Sequence, residues 1–400
     1  MKADDEVRTV AVAGVDFGWG SSGKISAVLS ALHGRRDPGL RFVGLASGLG
    51  RPVLAGQPVE RWFDLPDGEL AAAVAEVVRA ERVRAALVVL DGRLAKALGS
   101  CGVPVVFVDS LPFLWTDGDR DDLPLDADVY CAQRCVELPP ECAGVLADVR
   151  RLRWVDAVIA TGTAAARPAS ARPPRRALVN LGGLRAPQLA DWSGYPRIVL
   201  PAALEALAAY GVGEVHVAGN LPARLAGQLV DSCPAPVTTT VGALAHDEFL
   251  DRLGACDVLL TSPGLTTLLE AGRLGVPTVC LPPQNLSQIF NGRFHSRALG
   301  TDVRVAWPKA VFAEDDALAL RSEGEGRALD VIYGGIARAA EQSRRETTTA
   351  VRQDVLAVLG RLETEPGVDW GALTTAVGTG GAAQVADVLV ELLGAAGPVH

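Results

Sequence analysis

Short, almost wholly apolar runs alternate with Ala- and Leu-rich stretches along most of this chain, and they do so in two successive series. The first series places strands at 8–15, 41–47, 85–90, 103–109 and 156–161, with helical stretches such as 69–80 between them. A strand without polar alternation is buried on both faces, as in a parallel sheet covered by helices. The stretch TAAARPASARPPRR, 163–176, then breaks the pattern with Pro, Ala and Arg and reads as a linker. A second series follows at 177–181, 214–218, 236–241, 257–261, 277–281 and 303–307, with helices at 200–210, 247–254 and 266–272. The pattern predicts an α/β chain of two Rossmann-like, doubly wound parallel-sheet domains, 1–165 and 177–345. Residues 346–400 are expected to be helices, broken by glycines at 378–381, that pack back across the domains. Ligands of such sheets bind beyond the C-terminal strand ends, so an interdomain cleft is the expected site. At 400 residues and 49% apolar content, the chain can fill two cores.

Charge and cysteine content narrow the function classes. The formal net charge is −9 and no block of Lys or Arg stands out beyond 172–176, which argues against a nucleic-acid partner. An anionic sugar nucleotide is still compatible, because backbone N–H groups and a few local Arg residues can hold it. No apolar run approaches the roughly 18–20 residues that span a bilayer. The start, MKADDEVRTV, is acidic and does not read as a signal peptide. No membrane association and a cytoplasmic location are the expectations. Seven scattered cysteines, an odd number without a Cys-x-x-Cys pair, do not make a disulfide framework. Cys131, Cys135 and Cys142 lack a fourth ligand at suitable spacing, so no metal is expected.

The first glycine-rich loop, Gly14-Val-Asp-Phe-Gly-Trp-Gly-Ser-Ser-Gly-Lys24, admits several readings. Gly18-x-Gly20-x-x-Gly23 fits a dinucleotide fingerprint, with a helix expected from Ile25. That fingerprint wants an acidic residue at the end of the second strand, which here ends Leu45-Ala-Ser47-Gly. Gly18-x-x-x-x-Gly23-Lys24 approaches a phosphate loop, but Ile25 stands where magnesium needs a hydroxyl. Asp91 and Asp109 are only loose second carboxylates for such a site. The loop also suits close approach of backbone to a reacting sugar, or simply a tight strand-to-helix turn.

The stretch from Asp257 to Pro277 is more informative. A buried strand ends at Ser262-Pro-Gly264 and a helix begins near Leu265, whose first-turn N–H groups and dipole suit a diphosphate without metal. Glu270 lies six residues beyond Gly264, from where its carboxylate can accept both hydroxyls of a ribose. The next strand ends in Leu281-Pro-Pro-Gln284-Asn285-Leu-Ser-Gln288-Ile-Phe-Asn291, an amide-rich loop suited to sugar hydroxyls.

Ser-x-Gly-x-x-Thr-x-x-Glu followed by Gly-x-Pro and an amide-rich loop resembles the donor half of MurG-like UDP-glycosyltransferases, which have the GT-B fold. The resemblance implies that Gly264, Leu265, Thr266 and Thr267 hold the diphosphate and Glu270 the ribose. It gives Gln284, Asn285 and Gln288 to the sugar, and the turn at Gly182 and Gly183 to the donor phosphates. Loop 242–245, with Leu244, would lie near the uracil. In the first half, Asp16 to Lys24, Val108-Asp-Ser110-Leu-Pro-Phe-Leu-Trp115, Asp122-Leu-Pro and Ala127-Asp-Val-Tyr130-Cys-Ala-Gln133 resemble the cytosylglucuronic acid synthases of nucleoside-antibiotic pathways. That resemblance implies transfer of glucuronic acid from UDP-glucuronic acid to cytosine or hydroxymethylcytosine, with no cofactor beyond the sugar nucleotide.

Read as chemistry, Phe17, Trp19, Phe113 and Trp115 can stack a flat base, with Gly20, Ser21 and Ser110 beside it. Attack by a base nitrogen needs a proton acceptor. Asp16 and Asp109 both end parallel strands facing the cleft, and Asp16 is preferred because its glycine-rich loop should come closest to the anomeric carbon; the histidine that many UDP-glycosyltransferases place in this loop is missing. Arg185 and Arg293 are candidates to fork a donor carboxylate, and His295 is a possible donor contact. A phosphate-loop NTPase, a non-catalytic UDP-sugar-binding protein and a sugar-nucleotide epimerase remain as other classes.

Overall fold

The computed structural model describes residues 7–35, 39–45, 48–66, 68–160, 174–185, 189–231, 237–323, 325–365 and 367–395. Most of the expected linker, 163–173, lies outside them. The chain divides into two compact units, Met1–Gly162 with Val377–His400, and Thr163–Ala376.

Unit 1 contains β1 (Arg8–Gly14), α1 (Gly20–His33), β2 (Leu40–Leu45), β3 (Val59–Phe63), α2 (Leu70–Glu81), β4 (Val83–Val89), α3 (Gly92–Ser100), β5 (Val105–Asp109), β6 (Val129–Gln133), α4 (Pro140–Ala147) and β7 (Leu152–Val155). Its seven strands run in the order β3-β2-β1-β4-β5-β6-β7, and every pairing is parallel. Unit 2 contains β8 (Arg176–Gly182), α5 (Gly194–Ala209), β9 (Glu214–Gly219), α6 (Ala223–Asp231), β10 (Thr238–Gly242), α7 (His246–Ala255), β11 (Val258–Thr261), α8 (Leu265–Leu274), β12 (Thr278–Cys280), α9 (Leu286–Leu299), α10 (Glu314–Ala319), α11 (Glu325–Gln342), α12 (Arg344–Thr364) and α13 (Ala372–Val377). Its five parallel strands are ordered β10-β9-β8-β11-β12. In each sheet the strand order reverses at the first strand, leaving a crevice between β1 and β4 and another between β8 and β11. Open α/β sheets bind their ligands at such switch points.

The period of two in β1 shows why the apolar runs are continuous. Val10 and Val12 join a core with Ile25, Val28 and Leu29 of α1, whereas Ala11 and Ala13 join the opposite core with Val74, Leu94 and Phe107. The final helix, α14 (Gly381–Ala395), belongs to the first of these cores through Ala382, Val385 and Leu389. α12 instead packs on α5 in unit 2. Residues 346–400 are therefore shared between the two units. Ala372–Ala395 is long and apolar enough to cross a membrane by composition, which corrects the expectation that no run reaches that length. The side chains of α14 spend that hydrophobicity on the core of unit 1.

Several elements differ from the sequence pattern. β3 (VERWF) and β7 (LRWV) are sheet edges, paired on one side only, so they carry charged and exposed residues instead of apolar runs. Of the strand expected at 156–161, the described residues 156–160 form none. Ala157 N–H donates to Gly378 O and its own carbonyl accepts from Gly381 N–H, while Val158 N–H bonds to Gln133 Oε1. These partners take the place of a sheet ladder. The expected strand at 303–307 is reduced to one parallel bridge, Cys280 to Arg304.

Candidate functional site

At the crevice of unit 2, β8 ends in a turn held from two sides. Gly182 has φ +69 and its N–H donates to Asn180 Oδ1 at 3.1 Å. Asn220 donates from its own N–H to Gly182 O and from Nδ2 to Gly183 O, both at 3.1 Å. Asn180 Nδ2 reaches across the crevice to Thr267 Oγ1 at 3.1 Å and Thr261 Oγ1 at 3.3 Å. The turn and the start of α8 are thus one hydrogen-bonded body. An Asn two residues before a positive-φ glycine is a recognisable turn signal, but Asn180 and Asn220 went unassigned in the sequence.

Gly264 is the N-cap of α8, extended at φ −70 and ψ 130, with no side-chain cap. The first-turn N–H groups, Leu265 to Thr267, therefore start a ten-residue helix beside that turn. Thr266 is buried, and the hydroxyl of Thr267 is held by Asn180. Ser262 Oγ accepts from Gln284 Nε2 at 2.5 Å, and Gln284 N–H donates to Gln288 Oε1 at 2.8 Å. The tips of β11 and β12 are thereby joined. Tyr195 donates to Pro282 O at 2.8 Å and Asn291 to Pro263 O at 3.0 Å, bracing the same loops from below.

Asn285 differs from the expectation. Its Oδ1 accepts from Gln288 N–H at 3.0 Å and from Ser287 Oγ at 2.8 Å, because it caps α9. The amide-rich segment is a helix start, and an Asn in that position satisfies the orphan N–H groups of the first turn. Its acceptor oxygen is committed to the fold, while Gln284 and Gln288 converge with Ser262. Leu244 is also redirected: its side chain packs with Leu178, Leu253 and Leu259 in the core, so only its backbone can serve a ligand. Arg293 forms ion pairs with Glu314 at 3.0 Å and Asp315 at 2.8 Å, and Arg304 shares Glu314 at 3.0 Å. Its guanidinium is engaged within the protein. Arg185 is exposed just beyond Leu184, a non-glycine residue with φ +57.

Glu270 is 2% exposed, and its Oε1 lies 2.8 Å from His246 Nε2. A carboxylate only accepts, so the imidazole Nε2–H donates. One oxygen of Glu270 is thus held by a histidine to which the sequence had given no role. His295, considered as a donor contact, is 1% exposed with neither ring nitrogen partnered among the described residues. Burial pulls its pKa down to about 4.

In unit 1 the crevice begins at the loop after β1. A Cβ on Gly14 would come within 2.9 Å of Ser21 Cβ, so glycine lets α1 pack against the strand end. α1 begins at Gly20 rather than near Ile25, which places Gly20, Ser21 and Lys24 on the helix. Ser21 Oγ donates to Val15 O at 2.9 Å. Asp16 Oδ1 accepts from Leu49 N–H at 3.2 Å, and Trp19 Nε1 donates to Leu49 O at 3.1 Å. Phe17, Trp19 and Asp16 are all half-buried.

Asp109 ends β5 but is fully buried. It accepts from Leu111 N–H, Trp115 Nε1 and Tyr130 OH, each at 2.8 Å. Burial outweighs these donors and raises its pKa to about 6. Asp109 thus anchors Trp115 from beneath, and its place at a strand end does not open it to a substrate. Ser110 and Phe113 are buried beside it. Asp91 is likewise spent, accepting from Leu94 N–H as the N-cap of α3. Both loose carboxylates of the phosphate-loop reading therefore have structural partners. Cys131, Cys135 and Cys142 are thiols outside any disulfide; burial pushes Cys131 up to about 12 and Cys135 to about 11.

Two α/β units with parallel sheets of these orders define the GT-B class of fold. Three solved structures share it. A Listeria monocytogenes protein assigned as a UDP-N-acetylglucosamine 2-epimerase is similar at 12% identity over 90% of this chain and 97% of that one, with a TM-score of 0.52. Os79 from O. sativa in complex with UDP is similar at 15% identity over 96% and 100%, with a TM-score of 0.51. A Polygonum tinctorium UDP-glucosyltransferase capable of glucosylating indoxyl is similar at 15% identity over 88% and 99%, with a TM-score of 0.50. At these identities the likeness is one of fold. No protein-family model and no curated protein sequence matches the chain.

Proposed function

We propose that this chain is an inverting, metal-independent glycosyltransferase that moves glucuronic acid from UDP-glucuronic acid to N1 of cytosine or hydroxymethylcytosine, as in nucleoside-antibiotic biosynthesis. The observation that carries the reading is the β8–β11 crevice, where an uncapped helix starts at Gly264 beside the Ser262–Gln284–Gln288 cluster and carries the Glu270 carboxylate on its second turn. Helix N–H groups and the dipole can stabilise a departing diphosphate, which removes the need for a cation there. Unit 2 is then the donor half and unit 1 the acceptor half. The base nitrogen bonds to the anomeric carbon, the bond from that carbon to the UDP oxygen breaks, and the N1 proton passes to Asp16. Asp16 is favoured over Asp109 because Asp109 is enclosed by its three donors. Trp19 and Trp115, each fixed through its indole N–H, can stack a flat acceptor.

The test is calorimetric titration with UDP-glucuronic acid, UDP-glucose and ATP, with and without magnesium, followed by cytosine and mass analysis. Metal-independent binding of UDP-glucuronic acid and a cytosine–glucuronate mass are expected. A glucuronate transferred to another small acceptor would keep the class and change the substrate. Alteration of the sugar nucleotide without acceptor would mean epimerase chemistry on this fold, and ATP–magnesium binding alone would overturn the reading. Glu270→Ala is expected to weaken UDP binding by about 1.5–3 kcal/mol, the range of a hydrogen bond to a charged group.

A further inference from the structure

We infer that His246 is the positioning residue that makes Glu270 selective for a ribose over a deoxyribose; this rests on the donor-site reading above. His246 is the first residue of α7, directly after the loop 242–245, and is 6% exposed. Glu270 projects from the second turn of the neighbouring α8. The two helices pack over a common core that includes Leu253, Ala271 and Leu274, so neither backbone is free to follow the other's side chain. Across that packed pair, His246 Nε2 donates to Glu270 Oε1 at 2.8 Å.

A glutamate has three rotatable side-chain bonds, and holding it in one rotamer before ligand arrival removes an entropy cost from binding. The bond from His246 does this and occupies one oxygen. Among the described residues Oε2 takes no hydrogen bond, so its lone pairs are the ones available to the sugar hydroxyls. The bond also ties the loop assigned to the nucleobase to the carboxylate assigned to the ribose. A histidine that merely joined α7 to α8 would affect every nucleotide alike; one that aims Glu270 affects only ligands with the hydroxyl that Glu270 reads.

The experiment compares UDP with 2′-deoxy-UDP by calorimetry on the full chain, for wild type, His246→Ala, His246→Gln and Glu270→Ala, with thermal melts of each. Wild type is expected to prefer UDP by about tenfold or more, the scale of one good hydrogen bond. His246→Ala should lose most of that preference by weakening UDP alone, as Glu270→Ala does. His246→Gln, which keeps an N–H near the position of Nε2, should restore it. An unchanged preference in His246→Ala, or equal weakening of both nucleotides, overturns the positioning role while leaving the donor site in place. Wild type that binds neither nucleotide overturns the donor site itself, and the inference with it.

Discussion

Asp109 in unit 1 and His295 in unit 2 are both buried titratable side chains, and the two units treat them in opposite ways. Asp109 in unit 1 is 0% exposed and has three donors at 2.8 Å. His295 in unit 2 is 1% exposed and neither of its ring nitrogens has a partner among the described residues; Asn291 Oδ1, one turn earlier on α9, has none either. Burial pushes both groups toward their neutral forms, Asp109 up to about 6 and His295 down to about 4. The difference lies in what removal leaves behind. Taking away Asp109 orphans three donors, whereas taking away His295 orphans nothing.

The largest expected effect follows from that asymmetry. Asp109→Ala should destabilise unit 1 by about 3–5 kcal/mol, because it leaves three buried donors without an acceptor and each such group costs about 1–3 kcal/mol. Amide hydrogen exchange resolved by segment would locate the loss in β5 and β6, with unit 2 protected as before. Unchanged protection in unit 1 would mean that the three bonds contribute little.

Titration sharpens the contrast next, because the two groups carry opposite signs. Asp109 binds its proton more tightly folded than unfolded. Its contribution is full below pH 3.8 and is lost as pH rises through about 6, a change of about 3 kcal/mol. His295 binds its proton more weakly when folded. Its contribution is full above pH 6.5 and is lost as pH falls through about 4, again about 3 kcal/mol. Between pH 4 and 6 the two slopes oppose each other in the wild type. Relative to wild type, Asp109→Asn should become progressively more stable as pH rises across that window, and His295→Leu as pH falls. Parallel pH profiles for all three proteins would show that neither group changes its pKa on folding.

How far these features could be read from sequence depends on where each contact goes. The continuous apolar runs of β1, β4, β8 and β11 announce parallel strands because burial on both faces leaves no polar position. The β11–α8 junction that carries Gly264 and Glu270 was legible for a similar reason, since strand end, helix start and spacing are all local. Asp109 looked like a candidate base because a strand-end carboxylate is a local feature, whereas its donor Tyr130 arrives from β6, 21 residues on, and the folded path of the next loop is what turns Trp115 back onto it. The His246–Glu270 bond spans 24 residues and joins two helices, so no spacing rule shows it. Asn285 is a different case: the same amide that suits a sugar also caps a helix, and only the backbone of α9 shows that its oxygen does so.

His295→Leu carries the next effect, with the sign reversed from Asp109→Ala. Replacing a buried polar group that lacks partners by an apolar one of similar size removes an uncompensated desolvation cost. At pH 7 the variant should be more stable by about 1–3 kcal/mol in denaturant unfolding. A loss of stability instead would mean that a bound water satisfies the imidazole, and the contrast with Asp109 would then be one of partner type.

The smallest expected effect tests whether saturation of polar groups in unit 1 extends up to its loop. Leu49 is buried, and both of its backbone groups are taken by the β1–α1 loop: its N–H by Asp16 and its carbonyl by Trp19 Nε1. Trp19→Phe keeps an aromatic face and deletes only the indole N–H. It should cost about 0.5–1.5 kcal/mol, the net value of one hydrogen bond. If Trp19 also stacks the acceptor, the variant should raise the acceptor KM while leaving UDP affinity unchanged, because the ring remains but its orientation is loosened. Lost stability with an unchanged acceptor KM would make the indole a brace for Leu49 alone, and unit 1 would then hold its loop as it holds Asp109, for structure.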